Sequence, residues 1–177
     1  MAFLLLFLMS FFIAEDASVL QVTDMSVYDT FAIGKPMQKG EWNMTPTVKV
    51  CSETELSLFR VEKALKYWEK LGYEFAGVHM DSSFNCSKAR YGQIVISLPD
   101  GTMGNSRLAS TRLYTEKQTG HIIQAKIFVY PHFARKARVI EHELGHALGW
   151  SHHSQKFHIM HPTWSMGGYD ASGTRKR

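Results

Sequence analysis

The chain has 177 residues, 45% of them apolar, and a formal net charge of +4. That is enough for a single domain with one core. Lysine and arginine are scattered, with short clusters only at 135–138 and 175–177 and no basic stripe interleaved with aromatics, so no nucleic-acid partner is expected.

The first segment, MAFLLLFLMSFFIA (1–14), is uncharged and almost wholly apolar, and Glu15-Asp16 follows it. It is too short to span a bilayer comfortably and has the length of a signal-peptide core. Cleavage is expected after Ala14 or Ala17, and the chain is then secreted or extracytoplasmic. The alternatives are an anchor retained at the N-terminus, the only membrane contact expected, and a buried N-terminal segment. In an exported chain the two cysteines, Cys51 and Cys86, are expected to form one disulfide; in a reducing compartment they would be buried thiols.

Residues 15–41 read as an extended lead-in or short pro-segment, broken by Gly34, Pro36 and Gly40. TPTVKVCS (45–52) alternates as a strand does. Residues 54–71 place Leu58, Val61, Leu65, Trp68 and Leu71 at helical spacing, with Gly72 as the stop. Further strands are expected over 73–80, 93–98 and 122–130. RLASTRLYT (107–115) is expected as an edge strand with its turn at 117–120. A second helix is expected from Phe133 to Ala147, and everything after Gly149 lacks periodicity. This order predicts an α+β fold: a mixed, twisted sheet of about five strands, a backing helix, a second helix and a short irregular C-terminal part.

Six of the nine histidines fall within VIEHELGHALGWSHHSQKFHIMHP (139–162). His142 and His146 are four apart, so both imidazoles lie on one face of a helix and can reach one ion. Gly149 permits a sharp turn at the helix end, and His152 can return to the same ion from outside it. Three neutral imidazoles suit Zn²⁺ and leave its fourth position open. Glu143 adjoins the first ligand without taking a coordination position. The chemistry expected is hydrolysis of a peptide bond by a zinc-bound water that Glu143 activates as general base. His153 is the only rival for the third ligand and would point away from the ion. His158 and His161 read as surface or packing residues, with a proton-shuttling or substrate-contact role as the alternative for His161, and His79, His121 and His132 have no partner signature.

The extended His142-Glu143-x-x-His146-x-x-Gly149-x-x-His152 pattern resembles that of the metzincin zinc peptidases, and VIEHELGHALGWSHH is most similar to the matrixin branch. The resemblance is specific over 139–164 and looser in element order from about 42 to 138. It implies a catalytic metallopeptidase domain over 42–177, acting on protein or peptide substrate in extended conformation. It further implies that Met160, eight positions after His152, forms a methionine turn beneath the ligands. Pro162-Thr163-Trp164 corresponds to a Pro-x-Tyr pocket wall, with Trp in place of Tyr, and Leu108-Ala109 to the strand that pairs with substrate.

The chain also departs from that branch. Neither cysteine sits where a pro-segment cysteine would silence the zinc. Asp24, Asp29 and Glu41 are the lead-in's candidate carboxylates for that purpose, and read as surface residues. The matrixins' structural-zinc histidines are missing. Asp81 and Asp100 are carboxylates of the kind Ca²⁺ takes, with no pattern around them to support a site. SMGGYDASGTRKR is too short and Gly-rich for the expected C-terminal helix. These departures motivate an alternative: a metallopeptidase-like module of a larger assembly, with a structural or maturation role and little free activity.

Overall fold

The computed structural model describes residues 20–25, 34–101, 103 and 107–176. The signal-like segment 1–14 and Asp29 lie outside them. Six strands are present: β1 (Leu20–Asp24), β2 (Thr47–Cys51), β3 (Gly77–Asp81), β4 (Gln93–Ser97), β5 (Ala109–Glu116) and β6 (Ile122–Val129). Three helices accompany them: α1 (Leu58–Glu69), α2 (Pro131–Ala134) and α3 (Val139–Ala147).

The fold is α+β, with one mixed sheet in the order β1-β5-β6-β4-β2-β3. Its β3, β2, β4 and β6 run parallel to one another, while β5 is antiparallel to β6 and β1 to β5. Strand alternation sends Val48, Val50, Ile94, Ile96, Leu113 and Ile127 to one face. There they form a single core with Val61, Leu65 and Trp68 of α1 and Ile140 and Leu144 of α3. The other face carries a small separate cluster of Cys51, Cys86 and Val95, and Cys51 and Cys86 are joined as a disulfide. At the start of α1, the Ser57 hydroxyl accepts the Arg60 N–H, and Gly72 adopts φ +93° just beyond its end.

Three expectations need correction. The sheet has six strands rather than about five, because β1 rises from the lead-in and pairs along β5 from Arg112 to Glu116. Consequently β5 is not the edge strand over that span. An outer strand left bare would present a row of unpaired N–H and C=O groups, and β1 takes them up. Finally, the helix expected over 133–147 is two helices, because Arg138 takes a left-handed conformation at φ +72°. Its guanidinium donates to the Gly167 carbonyl and lies 4.9 Å from the Trp164 ring centroid.

The C-terminal part is irregular but tied down. The Tyr67 and Tyr73 hydroxyls donate to the carbonyls of Tyr169 and Thr174, and the Lys176 N–H donates to Leu71. None of the described helices is long and apolar enough to cross a membrane.

Candidate metal centre

Helix α3 packs against β5 and α1, and this fixes which of its faces turns inward. His142, Glu143 and His146 lie on it, and Gly149, at φ +95°, reverses the chain so that His152 comes back. His142, His146 and His152 form a group able to hold a metal ion, one nitrogen from each lying within 4.8 Å of the others. The Nε2 atoms of His146 and His152 are 3.2 Å apart. Two imidazole nitrogens on one tetrahedral zinc, each about 2.0–2.1 Å from it, stand about 3.3 Å apart, so the spacing fits.

The outer nitrogens set the tautomers. His142 Nδ1 lies 2.6 Å from the Ile159 carbonyl oxygen and His146 Nδ1 2.7 Å from that of Trp150. A carbonyl oxygen only accepts, so each Nδ1 carries the proton and each Nε2 presents its lone pair to the cavity. Burial pushes the His142 imidazole down to about 4 and holds that of His146 well below its ordinary value. Both are therefore neutral near pH 7, the form that binds metal.

Glu143 is buried beside the ligands, and burial pushes its carboxyl up to about 7. The Thr111 hydroxyl, 2.7 Å from Oε2, opposes that rise by favouring the ionised form. Asp24 raises it further and Arg107 lowers it; these two form an ion pair at 3.6 Å.

A cavity of about 470 Å³ opens in front of the histidines. Leu108 and Ala109 line it on the strand side, and Pro162, Thr163 and Trp164 on the other, so every proposed substrate-side residue borders the same space as the ligands and Glu143. Met160 is fully buried behind the site rather than lining it. Among the described residues His153 does not join the metal-binding group; its ring packs against His158 at 4.7 Å between centroids. Both are buried in packing, whereas His161, 7% exposed, lines the cavity. Asp81 is engaged by Lys49 and the Ser83 N–H, and Asp100 by Arg112.

Several contributors to the site belong to no motif. The carbonyls at and just beyond the end of α3 are capped by the lead-in and the residue that follows it: Gln38 Nε2 donates to Leu148, Trp42 Nε1 to Ala147, and the Lys39 N–H to Gly149. Thus residues 37–42 brace the loop that carries His152, and a Cβ on Gly149 would strike the Gly40 carbonyl. No local signal marks such long-range caps. Gly145 did carry one, since glycine inside a helix is costly and often marks close packing. No family model matches the chain, and no curated protein matches it.

Proposed function

We propose that the protein is a zinc-dependent endopeptidase with a metzincin-like, matrixin-like site. The observation that carries the reading is the set of three histidines gathered about one point, two of them with their Nε2 lone pairs turned inward, and the Glu143 carboxylate in the same cavity. Bound there, zinc supplies Lewis acidity and an open coordination position. Extended substrate lies between the 108–109 segment and the 162–164 wall, with backbone pairing along the strand side. Glu143 takes a proton from the attacking water at a carboxylate oxygen and delivers it to the amide nitrogen as the C–N bond breaks. The placement of Glu143 favours this role, since its carboxylate borders the same cavity as the three histidines without belonging to the metal-binding group. Met160 supports the ligands from behind. The disulfide agrees with export, for which residues 1–14 are the proposed signal segment.

Metal analysis of wild type, His152→Ala and Glu143→Ala, paired with digestion of an unstructured protein, tests this reading. One zinc per wild-type chain is expected, with zinc and cleavage both lost in His152→Ala. Glu143→Ala should keep zinc and lose cleavage. Wild-type rates in Glu143→Ala would refute the mechanism.

A second reading, a module of a larger assembly with little free activity, is favoured by the irregular C-terminal part, which forms no α-helix after α3 among the described residues. A zinc-loaded wild type that leaves unstructured protein intact would decide for it.

A further inference from the structure

Thr111 sits in β5, fully shut off from solvent, with buried Ala109 and Leu113 as its neighbours on the same face. Its hydroxyl is 2.7 Å from Glu143 Oε2 and 3.1 Å from the Glu143 carbonyl oxygen. An ionised carboxylate and a carbonyl are both acceptors, so the hydroxyl is the donor, and its single proton is directed to the nearer oxygen, Oε2. We propose that Thr111 is a positioning residue for Glu143: its hydroxyl holds Oε2 and thereby aims Oε1 at the space in front of the three histidines. The proposal rests on the peptidase reading above.

Three observations support it. The terminal torsion of a glutamate is broad, so an untethered carboxylate would turn freely about it. A hydrogen bond to one oxygen removes that freedom and leaves the other oxygen to the cavity that Glu143 lines. Second, the donor is itself immobilised from both sides of its strand. Thr111 is paired with Ile127 of β6, and its carbonyl accepts the Met25 N–H at 2.9 Å. A group placed on a strand locked at both edges meets the demand for sub-ångström placement of a reacting side chain. Third, packing does not require the hydroxyl. Between Ala109 and Leu113, valine would fill the same shape, and the polar atom serves only Glu143.

The test compares Thr111→Val, which keeps the shape and removes the donor, with Thr111→Ser, which keeps the donor. In the zinc-loaded full chain, Thr111→Val should lower kcat on an unstructured peptide by about 10- to 100-fold, with KM within about twofold and zinc content unchanged. Thr111→Ser should restore kcat to within about threefold of wild type. In metal-free protein, the unfolding midpoints of Thr111→Val, Glu143→Ala and the double variant should be non-additive, because the two side chains form one bond. Wild-type kcat in Thr111→Val, an equal loss in Thr111→Ser, or additive midpoints would each overturn the proposal. A zinc-loaded wild type that cleaves nothing overturns the peptidase reading instead, and the midpoints still decide whether the tether exists.

Discussion

Gly145 of α3 lies directly against Met160. A Cβ at residue 145 would stand 2.6 Å from Trp68 Cζ2 and nearer still to the Met160 sulfur. Both neighbours are fully buried, so neither has room to move away. Helix propensity alone predicts that Gly145→Ala stabilises α3 by about 1 kcal/mol. Overpacking should reverse the sign, with a net loss of about 1–3 kcal/mol in thermal unfolding. An unchanged or higher midpoint would show that the Met160 loop shifts easily.

Arg60 and Glu141 join α1 to α3 through two hydrogen bonds, of 3.0 Å and 2.6 Å. Glu141 is only 3% exposed, and Arg60 is the cation that pairs with it. Removing Arg60 leaves a buried carboxylate unpaired, and Arg60→Ala should cost about 3 kcal/mol in urea unfolding. Replacing both residues by apolar ones of similar size, Arg60→Met with Glu141→Leu, should recover most of that loss. Equal destabilisation in the single and double variants would show that the packing of the arginine stem matters, not the charge.

The Glu143 carboxyl, raised from an ordinary value of 4.5 to about 7, gives a pH signature in the metal-free protein. The folded state then holds this proton more tightly than the unfolded chain does. Its contribution to stability is complete below about pH 4.5 and is lost as the pH rises to about 7. Glu143→Gln removes the titration. The stability of the Gln variant relative to wild type should therefore rise between pH 4.5 and 7 and level off above. The lowered values of His142 and His146 act in the opposite direction but are common to both proteins. A difference that does not vary with pH would contradict the assignment.

The Cys51–Cys86 bridge closes a loop with a sequence separation of 35 residues on the sheet face away from both long helices. Reduction should lower stability by about 3–4 kcal/mol through the added freedom of the unfolded chain. The metal centre lies on the helical face, so zinc stoichiometry should stay unchanged under a reductant that does not chelate metal. Loss of zinc together with the bridge would mean that the two faces are coupled.

Part of the site was legible because its determinants are local. A spacing of four residues on a helix places His142 and His146 on one face whatever surrounds them, and the left-handed φ of Gly149 is a property that glycine supplies by itself. Five of the six strands were legible for the same reason, since alternation and turn residues are read within one segment. The exposed strand Leu20–Asp24 has no buried face to pattern, and only the vacant hydrogen bonds of β5 give it a place. FARKAR carries no breaker, so the left-handed turn at Arg138 could not be read there; its anchors, Gly167 and Trp164, come from the far end of the chain.

By itself, then, the sequence determined the α+β class, the histidine set and the neighbouring glutamate, all consequences of short-range geometry. Tertiary structure alone decided that Thr111 meets Glu143, that Gln38, Lys39 and Trp42 cap the end of α3, and that His153 and His158 pack together inside. Each of these contacts joins groups far apart in the chain or sends a side chain to a face that no local period specifies. Such partners are chosen by which polar atoms would otherwise be buried unpaired, and that is known only once the whole core has closed.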